Sequence, residues 1–64
     1  MKFSGKKLGE LMQLRGLGVD DVAQAVSRNK SAVSNWVNGV RSPNPRSRRD
    51  LAKFLNVSME ELLS

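Results

Sequence analysis

The side chains available for chemistry are 11 Lys and Arg and 6 Asp and Glu, with no His, Cys or Tyr, in a chain of 64 residues carrying a formal charge of +5. Without imidazole, phenol or thiol, the usual general base, the cysteine nucleophile, disulfides and nitrogen or sulfur metal ligands are all missing. No cofactor and no metal are expected. By residue type Lys30 and Ser31 could be imagined as a base and a nucleophile, yet neighbouring helical positions point in different directions. The paired acids Asp20-Asp21 and Glu60-Glu61 read as helix starts, where carboxylates suit the positive end of the helix dipole. The expectation is a binding protein rather than an enzyme, and an excess of cations seeks an anion.

The positive charge is localised. Lys2, Lys6, Lys7 and Arg15 outnumber Glu10 at the amino end, and Arg41, Arg46, Arg48, Arg49 and Lys53 outnumber Asp50 further on. Between them Asp20 and Asp21 balance Arg28 and Lys30, and the last eleven residues carry only Glu60 and Glu61. Two basic stretches therefore flank a neutral middle. No apolar run exceeds two residues, too short for a membrane span or a signal-peptide core, so a soluble, intracellular protein is expected. A chain this short has room for one domain over residues 1–64, which buries only about 60% of its unfolded surface and must rely on tight packing, a ligand or a second copy.

The elements that would position these charges are helical. Leu8, Leu11 and Met12 fall at i, i+3 and i+4, Ser4 can cap, and Arg15-Gly16 reads as a stop, which predicts a first helix over about 4–15. Phe3 and Leu8 have the spacing of a hydrophobic staple. Val22, Ala23 and Val26 give a second helix over about 19–26, with Asp20 and Asp21 in its first turn. Asn29 caps a third, whose inward residues are Val33, Trp36 and Val37 and which ends at Asn38-Gly39. Only Ser27 and Arg28 separate the second and third helices, which forces the sharp crossing of a helix-turn-helix. Ser42-Pro43-Asn44-Pro45 breaks the pattern and restarts it as a fourth helix over about 45–55, with Leu51, Ala52, Phe54 and Leu55 as its apolar face. Ser58-Met59-Glu60-Glu61 is a capping box with Val57 and Leu62 as its staple, and predicts a short fifth helix from Met59. No strand pattern or repeat is present.

These residues resemble the lambda-repressor-like, Cro/C1-type (XRE) helix-turn-helix domains over about residues 6–63. The resemblance is carried by Leu8, Leu11, Gly16-Leu17, Val22-Ala23, Val26, Val33, Trp36, Asn38-Gly39, Pro43, Leu51-Ala52, Leu55 and Val57-Ser58. It implies an all-α, compact five-helix domain. Departures are visible too. Met12 and Val37 stand where the family often has an Arg and a Glu that bind each other, and replacing both partners of a buried ion pair is compatible with the same packing. Gly18 and Val19 stand where a capping Ser or Thr and a phosphate-binding Gln are common. Ser27 replaces a frequent Gly, a costlier choice if the backbone needs positive φ there. Arg48 and Arg49 occupy positions that are often apolar.

The resemblance implies that the third helix enters the major groove of double-stranded DNA. Its outward residues Lys30, Ser31, Ser34 and Asn35 then become base readers, Lys30 favouring guanine and Asn35 adenine, with Ala32 able to touch a thymine methyl. Asn38, the backbone near Gly39, Arg41, Arg46 and the start of the second helix would hold phosphates, which set register rather than sequence. For an isolated helix the bland reading is a solvated polar face, and for the Arg cluster a solubility patch. Trp36 falls on the Val33 face and reads as core. The function implied is a phage-type repressor binding a palindromic operator as a homodimer, in the cytoplasm and on the nucleoid. A protein-interaction module on the same fold, an antitoxin or a restriction controller are the alternatives. Val57, Met59, Leu62 and Leu63 are more apolar surface than one short helix needs, and serve either a dimer interface with Val57, Met59 and Leu62 at its centre or a cap that closes the core.

Overall fold

A computed structural model describes residues 2–63. It contains α1 (Gly5–Leu14), α2 (Val19–Ala25), α3 (Lys30–Val37) and α4 (Pro45–Leu55), followed by a 3-10 turn over Met59–Leu62. Four α-helices are therefore present rather than five. Only four residues lie between the Ser58 cap and Leu63, whose backbone is extended and pairs with Phe3 in a single antiparallel β-bridge. A segment that short closes with i to i+3 bonds instead of a full α-helical turn.

Helix starts follow their expected caps. The side chains of Ser4, Asn29 and Asn44 accept from the N–H of Lys7, Ala32 and Ser47 at 3.2, 2.8 and 2.8 Å. Gly18 has no side chain to offer α2. Asp21 compensates from the other direction, its carboxylate accepting from the Gly18 N–H at 2.9 Å, and Glu61 does the same for Ser58 at 3.1 Å.

All four helices end alike. Gly16, Ser27, Gly39 and Asn56 have φ of +64, +58, +76 and +56°. Beyond each, the next N–H reaches back five residues: Leu17 to Met12, Arg28 to Ala23, Val40 to Asn35, and Val57 to Ala52, at 2.8 to 3.0 Å. This left-handed ending consumes two otherwise orphaned carbonyls per helix and reverses the chain within one residue. Connections of only a few residues are the result, and the one between α2 and α3 makes the helix-turn-helix.

The core is Leu8, Met12, Val22, Ala23, Val26, Val33, Trp36, Leu51, Ala52, Leu55 and Leu62, with Phe3, Leu11, Leu17, Val19, Val37 and Val57 packed around it. Met12 is buried and Val37 half-buried, so the pair that replaces an Arg and a Glu does join the apolar packing. Phe54 is a correction: it is 42% exposed. At roughly 100° per residue, Ser47, Leu51, Leu55, Arg48 and Ala52 span the inward arc of α4, and Phe54 falls outside that arc, beyond Ser47. Helices α1 and α3 approach so closely that a Cβ on Gly5 would collide with the Trp36 carbonyl oxygen and lie 2.8 Å from that of Val37. The ends of the chain are tied together: the Ser4 N–H donates to Leu62 O at 2.7 Å, and the Lys7 ammonium to Leu63 O at 2.6 Å.

Candidate nucleic-acid interface

Val33 and Trp36 fix the orientation of α3 by sinking into the core, with relative exposures of 0% and 5%. What α3 then presents outward follows from its phase. Lys30 and Ser31 are exposed, Ser34 and Asn35 half-buried, and Ala32 is half-buried against the core. Ser31 and Asn35 line one open cleft together with Arg28, Asn29, Arg41 and Asn44. Two of the expected readers and two arginines thus line the same concavity, beside the Trp36 anchor.

The remaining expected readers are engaged differently. The Lys30 ammonium lies 3.4 Å from the Asp20 carboxylate in the first turn of α2, with both side chains about two-thirds exposed. A solvated pair of this kind is weak and exchangeable, so it parks the Lys30 head at the α2 edge of the reading face. The Ser34 hydroxyl accepts from the Asn38 side-chain amide at 3.3 Å. Ser34 and Asn38 therefore act as a pair on the free side of α3, and the hydroxyl hydrogen of Ser34 remains available to an acceptor.

At two expected phosphate sites the backbone donors bond within the fold. The Gly39 N–H donates inward to Trp36 O at 3.3 Å, and Val40 and Arg41 N–H both donate to Asn35 O. The helix-ending hydrogen bonds have consumed the donors that a phosphate would need, so Gly39 contributes an unobstructed surface and no cradle. At the start of α2, Asp21 occupies the Gly18 N–H and Asp20 stands beside it; two carboxylates there repel a phosphate. Arg41 and Arg46 are exposed as expected. Arg46 lines a neighbouring depression with Ser27, Arg28 and Asp50.

Arg28 is the residue that sequence reasoning passed over. It lies in the turn between α2 and α3 and borders both depressions, linking Arg41 on one side to Arg46 on the other. The signal was present in the sequence as a cation directly before the Asn29 cap, but the acids Asp20 and Asp21 made that segment look neutral.

The apolar carboxyl end divides. Leu62 is 1% exposed and closes the core between α1 and α4, so it is unavailable to a second copy. Val57 is half-buried against the core, whereas Met59 is 39% exposed. Among the described residues no group of three or more potential metal ligands occurs, and no helix is long and apolar enough to cross a membrane.

Comparison with known proteins agrees with this geometry. A family model, "HTH_3: Helix-turn-helix", matches residues 8–62. The chain is 33% identical over its full length to the HTH-type transcriptional activator BcrR of Enterococcus faecalis, of which it spans 31%. Among solved structures it is similar to the restriction-modification controller protein C.AhdI of Aeromonas hydrophila, with a TM-score of 0.86, 27% identity, and coverage of 92% of this chain and 89% of that one. It also shares its fold with the P22 c2 repressor in complex with a synthetic operator, with a TM-score of 0.90, 20% identity, and coverage of 100% and 97%. The chain belongs to the Cro/C1-type helix-turn-helix family.

Proposed function

We propose that this domain binds double-stranded DNA sequence-specifically by laying α3 in the major groove, and that two copies occupy a palindromic operator to repress transcription. The observation that carries the reading is the convergence of Ser31 and Asn35 with Arg28 and Arg41 on one cleft, on the side of α3 that borders its Trp36 anchor. Lys30, Ser31, Ser34 and Asn35 read base edges. On reaching the groove, Lys30 exchanges Asp20 for a guanine, since a solvated pair of this kind holds the ammonium only weakly.

Arg28, Arg41, Arg46 and Asn38 hold the backbone on either side. A copy on its own presents few such contacts, and a second copy doubles them on half-sites about one helical turn apart. The exposed Met59, the half-buried Val57 and the exposed Phe54 on α4 are the apolar surface near the carboxyl end that remains for that contact. Such a regulator works in the cytoplasm, on the nucleoid.

Titration of the protein with duplex DNA across a salt series tests the reading. Three Arg contacts in each of two copies predict a log–log salt slope of about −5. Affinity that stays constant between low and physiological salt would exclude a phosphate-anchored mode.

A further inference from the structure

Arg48 has no role in the reading above, and its position in α4 is unusual. It falls within the inward arc between Leu55 and Ala52, so its stem is half-buried where the neighbouring inward residues are apolar or small. The Arg48 Nε–H is fully buried and has no hydrogen-bond partner. A buried donor without an acceptor lowers stability, and an apolar side chain would fill that arc without the cost.

Arg48 also lines a cleft with Lys2, Trp36, Gly39, Arg41 and Ser42. Three cationic side chains from the amino-terminal segment, the loop after α3 and α4 thus surround one opening. Trp36, Arg41 and Ser42 border this cleft and the reading cleft alike. The two therefore adjoin at the end of α3.

We infer that this second cleft is a binding site for a phosphodiester oxyanion of the bound duplex, with Arg48 as its cation and Arg41 joining it to the reading face. The inference rests on the DNA reading above. A guanidinium offers a phosphate a fork of parallel donors that an ammonium does not. The Gly39 surface, free of any side chain, lets a sugar-phosphate strand pass close to the opening.

The test uses a duplex selected from a random library by the native protein, with Arg48→Gln, Arg48→Lys and Arg41→Gln compared by fluorescence anisotropy and thermal melting. Arg48→Gln is expected to melt no lower than the native protein, to bind about 10-fold more weakly, and to lose about 0.9 from the salt slope for each copy bound. Arg48→Lys is expected to recover the slope but only part of the affinity, because charge returns without the fork. A methylphosphonate at the contacted phosphate should weaken the native protein and leave Arg48→Gln unaffected.

Unchanged affinity and slope for Arg48→Gln, alongside losses for Arg41→Gln, would overturn this site and leave the DNA reading standing. Failure of the native protein to bind any duplex would overturn both. A shift of the Arg48 Nε–H resonance by inorganic phosphate, with duplex binding untouched by Arg48→Gln, would assign the cleft to free phosphate and overturn its role on DNA.

Discussion

Asp20 and Lys30 show how the proposed reading face is held in the free protein. The carboxylate keeps the ammonium at the edge of α3, 3.4 Å away, in a pair that is too solvated to add much stability. In the proposed DNA-bound arrangement Asp20 also adds a negative charge beside the duplex. Asp20→Asn is therefore expected to leave the melting temperature almost unchanged while strengthening DNA binding by about 2- to 5-fold at low salt, roughly 0.4 to 1 kcal/mol; titration of the variant beside the native protein checks it. At base-reading positions the expectation differs in kind. Lys30→Ala and Asn35→Ala should each lower discrimination by about 1–3 kcal/mol at separate base positions, measured on a panel of single-base operator variants. Uniform weakening on every variant would make both residues backbone contacts instead.

Individual residues were legible in the sequence where their role is local. Ser4, Asn29 and Asn44 cap as expected because a cap needs only its own next three residues. The inward assignment of Val33 and Trp36 holds because two apolar residues three apart define a helix face by themselves. Leu62, Phe54 and Gly39 were not legible in the same way. Each depends on what a distant element or the following turn does: α1 and α4 enclose Leu62, the inward arc of α4 is set by its partners, and the helix ending draws in the Gly39 N–H.

At the scale of elements, the repeated left-handed ending lets 64 residues hold four helices and a 3-10 turn. Two of the four positions are Gly, but Ser27 and Asn56 pay the strain of a side chain at positive φ. Ser27 is the more consequential, since its conformation sets the crossing of α2 on α3. Ser27→Gly should stabilise the domain by about 0.5–1 kcal/mol, raising the melting temperature by about 2–8 °C, with DNA affinity unchanged. Gly5 sets the other geometry, because α1 rests directly on the carboxyl end of α3. Gly5→Ala has to push the two helices apart and is expected to cost about 1–3 kcal/mol, to be read in a denaturant melt; a neutral result would mean that α1 is not seated there. The turn could be placed from the sequence because its two-residue length permits few geometries. The Gly5 contact could not, since nothing in a first-turn glycine announces which backbone lies against it.

As a whole, the molecule measures 26 × 22 × 19 Å and binds its two ends together through the Phe3–Leu63 bridge and the Lys7 ammonium. That use of Lys7 takes one cation of the amino-terminal cluster out of the DNA account. The positive face is narrower than the net charge of +5 suggests, and runs from Arg46 past Arg28 and Arg41 around the end of α3. Charge along the sequence indicated the class of partner, while its arrangement around α3 required the fold.

Selection of bound sites from a random duplex library tests the central claim most directly. The account predicts an enriched palindrome with half-sites centred about 10 base pairs apart, whose preferred bases change at one position with Lys30→Ala and at another with Asn35→Ala. A pool that remains random after selection by the native protein, or a motif identical for the native protein and both variants, would contradict it.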